Sequence, residues 1–95
     1  MKSNIISTNS IISQNKDIVA SDIDDEKVMM SMEKGYYYGL DSIGRSVWDL
    51  IEKPMAVSDL INALLLQFDV DRKTCERDVL AFLEELNADG IVQVQ

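Results

Sequence analysis

The apolar pattern of this chain changes period at Asp41. Upstream, short runs of β-branched and aromatic residues are separated by turn signals; downstream, apolar residues recur every three to four positions. A strand turns alternate residues to one face and a helix every third or fourth, so one segment cannot serve both periods. The chain therefore forms strands first and helices afterwards, the signature of an α+β domain.

Three strand-prone runs precede the switch. Ile18-Val19-Ala20 is the first, and an acidic turn of Asp22, Asp24, Asp25 and Glu26 follows it. Lys27–Glu33 is the second run, Lys34-Gly35 a tight-turn signal, and Tyr36-Tyr37-Tyr38-Gly39-Leu40 the third. Runs of this length joined by glycine-containing turns form antiparallel hairpins.

Three helices follow. Ile43, Val47, Trp48, Leu50 and Ile51 make one wide apolar stripe, with Asp41 or Ser42 as the N-cap and Pro54 just beyond the end. The second helix carries Val57, Leu60, Ile61, Leu64, Leu65 and Phe68 on one face; its start lies between Ala56, a poor cap, and Ser58. The third runs from a cap at Asp71 to about Ala88, with Cys75, Val79, Phe82, Leu83 and Leu86 as its stripe and Gly90 just past its end. Ile91–Val94 is a short extended tail. Residues 1–16, rich in Ser, Asn and Ile with no sustained period, read as a flexible N-terminal extension containing at most a short strand, and residues 17–95 as the folded domain.

Composition narrows the function. The 95 residues contain no His and a single Cys, which removes Cys–His and Ser–His catalytic pairs, zinc sites of the usual donor sets and any disulfide within the chain. Cys75 lies on a helical apolar stripe, where a small buried hydrophobe is the simpler reading. The acidic turn lacks the glycine and terminal glutamate of a calcium loop. No catalytic residue, metal or cofactor is expected. The net charge is −8, and the only charges in the first sixteen residues are Lys2 and Lys16, so the acidity falls wholly on the rest of the chain. Such a body repels phosphate backbones, and no apolar run reaches the ~18–20 residues of a membrane helix. With no apolar signal segment at the N-terminus, the expectation is a cytoplasmic protein without nucleic-acid or membrane partners.

Two other readings have definite residues behind them. Gly39-Leu40-Asp41-Ser42-Ile43 resembles the attachment element of acyl carrier proteins, with Ser42 as the modified serine, but a long helix should then precede it. The helices also suit a winged-helix DNA-binding protein with Arg72, Lys73 and Arg77 on the recognition helix. There, however, Asp71, Glu76, Asp78, Glu84 and Glu85 outnumber them. A peptide-binding surface fits better. A three-stranded sheet has two open edges able to accept an extended segment, and three consecutive tyrosines put aromatic area on both faces of one strand.

The segment from Lys34 through Ile51, KGYYYGLDSIGRSVWDLI, resembles the PqqD family, in which G-x-Y-Y-x-L-[ND]-x-x-G-x-x-[IV]-W joins the last strand to the first helix. The resemblance continues through Val57, Asp59 and Leu60, Phe68-Asp69-Val70, Asp78-Val79, Phe82-Leu83, Leu86 and Gly90-Ile91-Val92, covering about residues 17–92. Ala56 departs from it, standing where the family often has a capping Thr. The resemblance implies a winged helix-turn-helix-like fold, a three-stranded antiparallel sheet followed by three helices, acting as a RiPP recognition element. Such domains bind the leader of a ribosomally made precursor peptide as an added strand on the third strand, against the third helix, and present it to maturation enzymes.

On this chain the implied leader-binding residues are Tyr36, Tyr37, Tyr38, Gly39, Leu40, Thr74, Cys75, Asp78 and Phe82. Asp78 is placed to hold a leader hydroxyl, amide or cation, or else pairs with Arg77 or Arg45. The expected partners are a precursor leader and a cysteine leader protease of a lasso-peptide pathway. A chaperone for the pyrroloquinoline quinone precursor is the alternative within the family.

Overall fold

The computed structural model describes residues 6–24, 26–31, 35 and 37–95. Two small antiparallel sheets and three helices enclose one core, so the α+β class holds. The first sheet is built from β2 (Ile18–Ile23), β3 (Glu26–Ser31) and β4 (Tyr37–Leu40) in the order β2-β3-β4. This is the sheet read from the sequence. Asp24 takes φ 51° in the β2–β3 turn, a conformation Asp tolerates better than most residues. Cross-strand partners Met29 and Tyr38 fix the register of β3 and β4. Met29 is fully buried and Leu40 nearly so, while Tyr37 and Gly39 are exposed, as strand alternation requires.

The second sheet corrects the sequence reading. β1 (Ile11–Gln14) pairs with β5 (Met55–Ala56) on one side and β6 (Val92–Val94) on the other, in the order β5-β1-β6. Strands therefore also lie between the helices and after them. Residues 6–16 pack onto the body, and no break in packing falls at Lys16: Ile6 is 3% and Ile12 0% exposed. Gln14 Nε2 donates to the Trp48 carbonyl at 2.7 Å and Asn15 Nδ2 to the Gly90 carbonyl at 2.6 Å. The segment thus fastens the ends of two helices with side-chain amides.

α1 (Ser42–Leu50) starts at Asp41, whose Oδ1 accepts the Gly44 N–H at 2.8 Å. It ends at Leu50, and Pro54 lies just beyond, in the connection to β5. α2 (Val57–Gln67) has Ala56 at its N-cap with no side-chain hydrogen bond. Its first N–H groups are satisfied from elsewhere: Val57 donates to the Ser10 carbonyl at 2.9 Å and Ser58 to the Thr8 carbonyl at 3.0 Å. The N-terminal segment thus does the work of a capping side chain.

α3 (Arg72–Ala88) starts on Asp71, which accepts from Thr74 N–H at 3.1 Å. It closes in a Schellman motif, with Gly90 at φ 75° and the Ile91 N–H on the Leu86 carbonyl at 2.8 Å. Val47, Trp48, Ile51, Leu60, Ile61, Leu64, Val79, Leu83 and Leu86 form the core between the helices.

Candidate functional site

β4 leads into α1 through a single residue, the cap Asp41, so the strand edge and the first helical turn are held as one unit. Two ion pairs brace it: Lys27 Nζ to Asp49 Oδ1 and Arg45 to Asp22 Oδ1, each at 3.0 Å, tie β3 and β2 to α1. α3 crosses in front of this junction. Glycine at position 44 lets the first turn of α1 sit tightly against Leu40 and its own cap. A Cβ there would stand 3.2 Å from Leu40 Cδ2 and from Asp41 Oδ1, and 3.4 Å from Phe82 Cζ.

Between β4, the start of α1 and α3 lies a groove of about 360 Å³. Its floor is apolar, made by Leu40, Val47, Cys75 and Val79, with Ile43, Val70 and Phe82 along its sides. The polar side chains lining it are Asp41, Thr74 and Asp78. Asp41 is occupied in capping α1, and Thr74 leans on Asp71 at 3.4 Å. Asp78 Oδ1 touches Arg77 Nε at 3.4 Å, with both side chains mostly exposed. Of the two partners considered for Asp78, the structure supplies Arg77, while Arg45 goes to Asp22. Burial pushes the Cys75 thiol above its ordinary pKa; Asp78 raises it further and Arg72 opposes. At neutral pH the thiol is protonated, which suits a wall residue and not a nucleophile.

β4 pairs with β3 alone, so among the described residues its other edge is open, and that edge borders the groove. The groove therefore has the open edge of β4 on one side, an apolar floor, and α3 as the opposite wall. The groove gathers Gly39, Leu40, Thr74, Cys75, Asp78 and Phe82 from the residues singled out in the sequence. Tyr37 and Tyr38 lie on β4 but do not line the groove: Tyr38 packs half-buried against the core, and Tyr37 is 72% exposed. Tyr36 lies outside the described residues.

Sequence reasoning missed Ile43 and Val70. Ile43 belongs to the α1 stripe by period, yet it sits a turn ahead of the buried Val47 and Trp48, is 38% exposed, and lines the groove. Val70 precedes α3 in a connection with no period to read.

The outer face of β2-β3-β4 is a second feature. Val19, Met30 and Tyr37 lie side by side in register, with Val19 46% and nearby Ile23 54% exposed.

The family model described as "Coenzyme PQQ synthesis protein D (PqqD)" matches residues 26–92, and the chain belongs to the PqqD family. Among solved structures it is similar to TbiB1 in complex with the TbiA(beta) leader peptide. The two are 32% identical with a TM-score of 0.77, over 85% of this chain and 94% of that one. It shares its fold with lasso peptide synthetase B1 complexed with the leader peptide, 20% identical with a TM-score of 0.75, over 86% of this chain and 96% of that one. No curated protein sequence matches the chain. No helix among the described residues is long and apolar enough to cross a membrane.

Proposed function

We propose that this chain is a non-catalytic adaptor that binds the leader of a ribosomally made precursor peptide and presents it to a maturation enzyme, the leader protease of a lasso-peptide pathway. The observation that carries this reading is the open edge of β4 running along an apolar groove walled by α3. An edge strand supplies sequence-independent backbone hydrogen bonds, and a groove beside it reads alternate side chains of the added strand. The leader complex of the relative at 32% identity supports the same reading.

The scaffold is read as a winged helix-turn-helix turned to peptide recognition, with α2 and α3 as the helix pair. In this reading the acidic residues of α3 exclude a DNA phosphate backbone. The carrier-protein reading at Ser42 requires a helix before the motif, where the structure has β4. The apolar strip of exposed Val19 and Tyr37 with half-buried Met30 between them supports presentation, since it offers a docking face that a bound leader leaves uncovered. The family description favours a second reading, a chaperone for the pyrroloquinoline quinone precursor.

Reconstitution separates these possibilities. A candidate lasso precursor and a candidate cysteine leader protease from the source genome are incubated together, with and without this protein. Leader removal accelerated by the protein, and lost in a folded Tyr37→Ala variant that still binds leader, is the expected result. Equal cleavage rates with and without the protein contradict the proposal.

A further inference from the structure

The groove has a charge character that the bare idea of strand addition does not require. None of its lining residues is Lys or Arg, while two are aspartates. Asp41 is committed to the α1 cap. Asp78 is not committed in the same way. Thr74, Asp78 and Phe82 follow one another at helical spacing along the α3 rim, so Asp78 stands midway along the wall. Its one hydrogen-bonding or ion-pairing partner among the described residues is Arg77 Nε at 3.4 Å, with the Arg77 and Asp78 side chains 75% and 67% exposed. Such a contact is worth little in water and yields readily to a better-placed cation. Beyond Asp41 the groove continues into a shallower depression bounded by Glu26 and Arg45, and Arg45 is already drawn onto Asp22 at 3.0 Å.

Resting on the leader-binding reading above, we infer that the groove selects a leader carrying Lys or Arg on its groove-facing side, two positions along the strand from an apolar anchor, with the cation paired to Asp78. The chemistry of the wall supports this pairing. The long aliphatic stem of a basic side chain lies against Phe82 and Val79, while its charged head reaches a carboxylate at the rim. The two-residue offset follows from strand alternation, which turns every second leader side chain toward the groove. A leader acid at the same place meets the Asp78 carboxylate in a groove whose lining holds no Lys or Arg, so the site discriminates by repulsion as well as attraction. The net charge of −8 adds long-range attraction for a basic segment.

The test is a double-mutant cycle read by fluorescence anisotropy. The probe is the labelled synthetic leader of that candidate precursor, together with variants in which each Lys or Arg is changed singly to Gln. The proteins are the unsubstituted chain, Asp78→Asn, and Glu85→Gln, a control of equal charge change on an α3 residue that does not line the groove. Asp78→Asn is expected to weaken binding about three- to tenfold at low salt, and Glu85→Gln less than twofold. The loss shrinks as ionic strength rises. One leader variant binds Asp78→Asn and the unsubstituted protein equally, which identifies the paired cation. Equal affinity of Asp78→Asn and the unsubstituted protein, or the same Asp78→Asn loss with every leader variant, overturns the inference while leaving leader binding intact. No binding by the unsubstituted protein overturns the leader reading itself, and the inference with it.

Discussion

Strand addition to β4 makes a prediction with an internal control. Along an antiparallel strand the N–H and C=O groups of successive residues point alternately to the two edges. One alternate set in β4 pairs with β3, and the other faces the open edge beside the groove. The four residues Tyr37–Leu40 therefore offer the open edge two residues, hence two donors and two acceptors. At a net ~0.5–1.5 kcal/mol per backbone hydrogen bond, four such bonds contribute about 2–6 kcal/mol to leader binding. Proline removes a single donor. If the lost donor faces the leader, one leader carbonyl is left unpaired against α3, costing ~1–3 kcal/mol, or about 5- to 150-fold in Kd.

Proline is placed at positions 37, 38 and 39 in turn, and each variant is examined by thermal unfolding and by leader anisotropy. Gly39→Ala is the natural reference, because a Cβ there meets nothing within 4 Å. Proline in one alternate set should lower Tm by breaking the β3–β4 pairing. Proline in the other set should leave the fold intact and bind leader at least fivefold more weakly. Refutation is a folded proline variant in that second set whose Kd is unchanged, because the open edge would then carry no part of binding.

Three further predictions concern the scaffold. Trp48 is 4% exposed, so Trp48→Ala should cost ~3–5 kcal/mol. Set against the ~5–14 kcal/mol expected for a domain of this length, urea unfolding should show a large fall in midpoint. Deleting residues 1–16 removes the strand between β5 and β6 and the acceptors for the α2 N-terminus; circular dichroism should show no cooperative unfolding transition, and a cooperatively folded 17–95 fragment would contradict the role given to β1. The raised pKa of Cys75 means the unfolded thiol ionises first. Stability should therefore decline as pH rises above ~8.5, a slope that Cys75→Ala removes, and alkylation of Cys75 should slow further when leader covers the groove.

The parts legible in the sequence are those coded locally. Asp41 and Asp71 cap their helices through their own side chains, Gly90 ends α3 in the left-handed conformation, and the Tyr37/Tyr38 alternation splits outward and inward as strand geometry demands. What could not be read rests on partners far apart in the chain. β1, β5 and β6 are four, two and three residues long, too short to show a period, and they exist because residues 11–14 meet residues 55–56 and 92–94. The α2 cap has no local code at all, since its acceptors are backbone carbonyls of Thr8 and Ser10. Cys75 and Phe82 were legible by period as part of the α3 stripe, whereas Thr74 and Asp78 entered the candidate groove only through the family resemblance. Ile43 was assigned to the core by period, and only the tertiary placement of α3 shows that its turn of α1 opens onto the groove.

The most direct test of the central claim is an amide NMR titration of the isotope-labelled full chain with the synthetic leader. Shifts are expected to concentrate in Tyr37–Leu40 and along the α3 flank from Thr74 to Phe82, with alternate β4 amides becoming protected from solvent exchange. Shifts that instead map to the β5-β1-β6 sheet, or to the outer face around Val19 and Ile23 with β4 exchange unchanged, would contradict strand addition at β4.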